Sequence, residues 1–115
     1  MLVLFDHGTP KGLARALSEH SVHTAQSRGW DTLSSGELLN AAEEAGFDLL
    51  LTTDRRIRYQ QNLNVRRIAL VVLTGSTKWS GVRQHADRIA AAVSSAASGS
   101  YSEVEIPLEP KRGRA

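Results

Sequence analysis

A chain of 115 residues, 41% of them hydrophobic, has material for one domain with one core and room for one site. Zero cysteines exclude disulfides, cysteine-based zinc sites and thiol nucleophiles, and fit a cytosolic chain better than a secreted one. A formal net charge of +2 gives weak support to nucleic-acid binding, so the placement of charge matters more than its total.

In chain order, Leu2-Val3-Leu4-Phe5 is continuously apolar and predicts a central strand of a parallel sheet, ending on Asp6. Thr9 and Pro10 suit the cap and first residue of a helix over about 10–19 that buries Leu13, Ala16 and Leu17. Val22–Ala25 reads as a short strand near an edge, and 27–35 as a polar loop with Gly29 and Trp30. A helix over about 35–45 follows, with Leu38, Leu39, Ala41, Ala42 and Ala45 apolar and Gly46 as its stop. Asp48-Leu49-Leu50-Leu51-Thr52-Thr53-Asp54 is the organising stretch, a strand buried on both faces that delivers Asp54 to the rim of the sheet. Residues 55–62 predict a short arginine-rich helix or loop anchored by Ile57, and Arg67–Leu73 gives the clearest strand signal. A long helix over about 78–97 sets Val82, Ala86, Ile89, Ala90, Val93 and Ala97 on one stripe, and Tyr101–Ile106 alternates as an edge strand before Pro107. Strands alternating with helices predict one α/β domain, residues 1–107, with a mostly parallel sheet of about five strands. Residues 108–115, with Lys111, Arg112 and Arg114, read as a basic disordered tail. No apolar run approaches the roughly 20 residues of a membrane helix. Nor does Met1 open a basic region followed by a long apolar stretch. No membrane partner and a cytoplasmic location are therefore expected.

The crevice outside the carboxyl ends of the strands is where open α/β sheets bind ligands. Asp6 and Asp54 end strands there, and Glu37, at the start of the intervening helix, faces the same edge. Three carboxylates without a basic partner repel one another unless they hold a hard cation, and Mg²⁺ or Mn²⁺ is the natural occupant. Such an ion can activate a water for attack on a phosphodiester. Structural readings stand beside this one. Asp54 can be an N-cap, Asp6 a turn residue, and Ser34-Ser35-Gly36-Glu37 matches a capping box with Ser34 as cap. Asp48 lies at the opposite rim. Thr53, Thr74 and Ser76 lie on the site's rim as supporting hydroxyls, although Thr74–Thr77 can equally cap the last helix. Arg55, Arg56, Arg58, Arg66 and Arg67 cluster in sequence beside Asp54. With Tyr59, the Arg55, Arg56 and Arg58 group is an expected backbone-binding surface for RNA, with a solvated face as the alternative. Trp30 and Trp79 read as core or loop anchors rather than base-stacking platforms.

Leu4-Phe5-Asp6 with Pro10, Glu37-Leu38-Leu39 with Ala41-Ala42, and Leu50-Leu51-Thr52-Thr53-Asp54 together resemble the PIN-like nuclease superfamily, in particular its short prokaryotic members. The resemblance covers nearly all of the chain to about Pro107. It implies a three-layer α/β/α sandwich, a divalent-metal site at Asp6, Glu37 and Asp54, and endoribonuclease activity, often that of the toxin in a toxin-antitoxin pair. The partners implied are RNA and a small antitoxin protein encoded nearby, with a homodimer compatible. These relatives usually carry an Asp where this chain has Ser35, and a second Asp and an aromatic where it has Arg56 and Ile57.

A different class is a catalytically lapsed PIN-like module that binds protein or RNA. A third is a receiver-like phosphoacceptor domain with Asp54 as acceptor, which would need a lysine after the fifth strand where Ile106-Pro107 stands.

Overall fold

The apolar runs are too hydrophobic to leave either face in water, and they pair with one another. In the computed structural model, which describes residues 1–57 and 66–108, they form a five-stranded sheet. The strands are β1 (Leu2–Phe5), β2 (Ser21–Thr24), β3 (Leu49–Thr52), β4 (Ala69–Gly75) and β5 (Tyr101–Ile106), in the order β2-β1-β3-β4-β5 with every pair parallel. The prediction of a mostly parallel α/β sheet is met, and the expected edge strands β2 and β5 lie at the two edges. Arg58, Tyr59 and the tail beyond Leu108 lie outside the described residues.

Period-two alternation sends the two sides of the strands into two separate cores. Val3, Phe5, Leu49, Leu51, Val71 and Leu73 pack with Leu13, Leu17, Ile89 and Val93 on one face. Leu4, Leu50, Leu70 and Val72 pack with Leu38, Leu39, Ala42 and Phe47 on the other. Helical segments therefore cover both faces.

α1 (Ser35–Glu44) forms where a capping box starts it. The Ser34 hydroxyl accepts from the Glu37 amide at 3.3 Å, and the Glu37 carboxylate accepts from the Ser34 amide at 3.0 Å. Its end is clasped to the start of β4. Glu43 takes Arg66 Nη1 at 2.8 Å on one oxygen, and the Arg67 and Ile68 amides at 2.7 and 3.3 Å on the other.

Two predicted helices take other forms. Residues Lys11–Leu17 are a 3₁₀ segment rather than an α-helix over 10–19. Thr9 does not cap it, because its hydroxyl donates instead to the Leu51 carbonyl at 2.9 Å, and Gly12 further weakens the first turn. Leu13 and Leu17 are buried as expected, but Ala16 is exposed. The predicted helix over 78–97 is divided into α2 (Trp79–Val82), a 3₁₀ turn at Arg83–His85 and α3 (Ala86–Ser95). Gly81, a poor helix former, sits in its first turn. Val82, Ile89 and Val93 face the core, whereas Ala97 lies beyond the helix and is exposed.

The β1→β2 and β4→β5 crossovers cover the same face yet step in opposite directions along the sheet. The β2→β3 crossover, through α1, covers the other face. The last crossover thus has the opposite hand to the first two, a departure from the single hand that dominates parallel sheets.

Candidate functional site

Chain direction reverses around β1: the chain leaves it toward β2 on one side and returns to β3 on the other. That makes the carboxyl-end crevice between β1 and β3 the switch point where such sheets bind ligands. Asp6 leaves β1 into this crevice, and Thr52-Thr53-Asp54 leaves β3 into it.

One buried hydroxyl ties the Asp6 carboxylate to the backbone of Asp54. Thr52 Oγ1 donates to Asp6 Oδ2 at 2.6 Å and accepts from the Asp54 amide at 3.0 Å, with Thr52 fully buried. Ser35, the first residue of α1, donates its hydroxyl to Asp54 Oδ2 at 2.7 Å. The other oxygens of the pair accept backbone amides, Asp6 from His7 at 2.7 Å and Asp54 from Arg56 at 3.0 Å. Both acids are half-buried, and among the described residues neither forms an ion pair. Ser35 and Thr52 thus hold the two acids at one rim, Ser35 through the Asp54 carboxylate and Thr52 through the Asp6 carboxylate and the Asp54 backbone, and carboxylate and hydroxyl oxygens are the donors a hard cation takes. Mg²⁺ keeps several waters and takes only one or two protein carboxylates, so two acids fit an open, water-rich site. A cavity of about 20 Å³ adjoins Asp6, bounded by His7, Thr9 and Lys11 among others, with space for a single water.

Two packing contacts hold the loop after β1 in place. A Cβ on Gly8 would stand 2.6 Å from Thr53 Oγ1, so only glycine lets this turn lie against the end of β3. The Leu51 carbonyl accepts from the Thr9 hydroxyl on the same side.

The other predicted site residues fall in different places. Glu37 is exposed and serves the capping box; the Ser34 amide on its carboxylate, then the Ser34 hydroxyl contact, hold its pKa below the usual range. Among the described residues no three acids or histidines assemble into a metal-holding group, so Asp6, Glu37 and Asp54 are not brought together as one. Thr53 is half-buried over Gly8, Thr74 is half-buried at the end of β4, and Ser76 is buried with its hydroxyl accepting from the Lys78 amide at 3.3 Å. Arg55 and Arg56 are exposed beside Asp54. Arg66 and Arg67 precede β4 and so lie at the opposite rim, where Arg66 pairs with Glu43; sequence proximity to Asp54 does not survive the crossover. At the end of β5, Ile106 and Pro107 stand where a phosphoacceptor domain needs an ammonium.

Thr52 and Ser35 were not among the predicted site residues. A polar residue closing a fully apolar strand must find a partner for its hydroxyl, and that signal points to Thr52. A larger cavity of about 450 Å³ lies at the amino-terminal edge, between Phe47, Asp48, Arg67 and Ala97, away from both acids. Comparison with protein-family models, curated proteins and solved structures finds no match to this chain. Among the described residues no helix is long and apolar enough to cross a membrane.

Proposed function

We propose that this chain is a PIN-like endoribonuclease that depends on a divalent cation, Mg²⁺ or Mn²⁺, held by Asp6 and Asp54. The observation that carries the reading is that Asp6 and Asp54, tied through Thr52 and Ser35, meet the switch-point crevice of a parallel sheet with no ion pair on either acid among the described residues. A bound cation there would polarise the scissile phosphate and lower the pKa of an attacking water. The chain's own groups divide the remaining work. Thr52 fixes the orientation of the Asp6 carboxylate, Ser35 that of Asp54, and Arg55 and Arg56 lie exposed beside Asp54 to hold backbone phosphates. A cytoplasmic role as the toxin of a toxin-antitoxin pair, with a small protein antitoxin, rests on the resemblance alone. Growth arrest on expression, relieved by Asp54→Asn, tests it.

A second reading is favoured by one observation. Ser35 stands where the resemblance implies an acid, and the Glu37 carboxylate is tied into the capping box, which leaves Asp6 and Asp54 at the rim. Two acids suit a module that binds RNA or a protein without cutting it. Incubation of single-stranded RNA with Mn²⁺ and the parent, Asp6→Asn, Asp54→Asn or Asp48→Asn decides between the two readings. The nuclease reading expects cleavage by the parent and by Asp48→Asn, at the opposite rim, and loss of cleavage in the other two. No Mn²⁺-dependent cleavage by the parent, or undiminished cleavage by Asp54→Asn, favours the non-cleaving module.

A further inference from the structure

Trp79 is one of three large hydrophobic residues exposed among the described residues, 43% open, and it begins α2 directly after the carboxyl end of β4. A single exposed apolar side chain needs no explanation by itself. This one has a built seat. A Cβ on residue 12 would stand 2.6, 2.7 and 3.0 Å from Cζ2, Cη2 and Cε2 of the indole, so the ring lies against a backbone that only glycine leaves bare. Gly12 is six residues from Asp6, in the first turn of the 3₁₀ segment that follows the loop Gly8 and Thr9 pin to β3. An exposed lysine precedes each of the two contacting residues. Lys11 precedes Gly12, its ammonium reaching Gln26 Oε1 at 3.3 Å, and Lys78 precedes Trp79. Lys11 also lines the small cavity beside Asp6.

We propose that Trp79, seated on Gly12 and with Lys11 and Lys78 next in sequence to the pair, is a base-stacking platform for single-stranded RNA entering the Asp6–Asp54 crevice. The choice of RNA follows from charge and geometry, and it rests on the nuclease reading for its direction. An exposed indole with exposed lysines next in sequence to it and to its seat matches a strand whose bases stack while its phosphates meet ammonium groups, and stacking tolerates any base. A rigidly backed indole loses little freedom on binding, so its contact converts efficiently into affinity. Trp79 is thus a binding residue. It sets how RNA is held without touching the reacting atoms.

The test separates binding from cleavage by working in EDTA. In a Trp30→Phe background Trp79 is the sole tryptophan, and a short fluorescein-free single-stranded RNA is titrated against its fluorescence. Quenching on binding is expected. In fluorescence anisotropy with a labelled copy of the same RNA, Trp79→Ala should weaken binding by about tenfold, Trp79→Phe much less, and Lys11→Gln should flatten the salt dependence. Thermal melts of each variant confirm the folded state, and Trp79→Phe keeps the seat filled should Trp79→Ala unfold. Unchanged Trp79 fluorescence with RNA bound, or full affinity in a folded Trp79→Ala, overturns the platform whatever the cleavage assay shows. Protein capture with no RNA affinity in the parent overturns it as well. Quenching of Trp79 by RNA together with cleavage undiminished in Asp54→Asn would sink the nuclease reading and leave the platform standing.

Discussion

Thr52→Val is the sharpest perturbation of the site, because it removes two hydrogen bonds while keeping the shape of the side chain. Thr52 is fully buried, so no solvent replaces its hydroxyl directly. The bond to the Asp6 carboxylate is charge-assisted and contributes about 1.5–3 kcal/mol, and the bond from the Asp54 amide about 0.5–1.5 kcal/mol. Asp6 is half-exposed, so water recovers part of the first term, and a net loss of roughly 2 kcal/mol is expected. At a urea m-value of about 1–1.5 kcal/mol/M the unfolding midpoint falls by roughly 1.5 M. Thr52→Ser keeps both bonds and loses one buried methyl, roughly 1 kcal/mol. The same pair read by Mn²⁺ titration should show weaker binding in Thr52→Val and near-parental binding in Thr52→Ser. A Thr52→Val protein as stable as Thr52→Ser, with parental Mn²⁺ affinity, would refute the coupling of the two acids through this hydroxyl.

Ser35→Asp places a third carboxylate 2.7 Å from where Asp54 now accepts a hydroxyl. In EDTA the variant should melt lower than the parent through like-charge repulsion, partly offset by the favourable helix N-terminus, and Mn²⁺ should raise its melting temperature more than the parent's; equal metal-induced shifts would count against an ion at this crevice. Glu37→Gln should leave Mn²⁺-dependent cleavage at the parental level, since the amide oxygen can still accept from Ser34; lost cleavage would return Glu37 to the ion. At Glu43, burial pushes the carboxyl up, but Arg66 and the Arg67 and Ile68 amides outweigh it and hold the pKa below 4.5. A depressed folded-state pKa stabilises the protein above the unfolded value and loses that contribution as pH falls through the folded one. The parent should therefore lose stability below about pH 4.5 more steeply than Glu43→Gln, which should cost about 1–3 kcal/mol at neutral pH by urea melts.

Backbone architecture was the most legible part of the chain. Leu2–Phe5, Leu49–Thr52 and Ala69–Gly75 are strands because no other arrangement buries such runs, and α1 was marked by its capping box. Local signals competed where the reading failed. Thr9 looked like a cap because capping is decided within a few residues, whereas its actual acceptor, the Leu51 carbonyl, is 42 residues away. The clustering of arginines had the same flaw, since a crossover separates Arg55 from Arg66 by the height of the sheet. The place of Asp6 and Asp54 at the carboxyl rim was legible because each follows an apolar strand. Their link through Thr52, and the meeting of Gly12 with Trp79, depend on contacts between distant segments that no spacing encodes.

The first and last crossovers share one layer. Ala86–Ser95 rests on Lys11–Leu17, and His20 Nε2 meets Ser94 Oγ at 3.2 Å, so two segments far apart in sequence shelter the same core. A nascent chain halted after β4 would own both acids yet lack Trp79 and half of one hydrophobic layer. The layer closes only once residues 79–95 have packed on residues 11–17, so this face of the sheet depends on an association across most of the described chain.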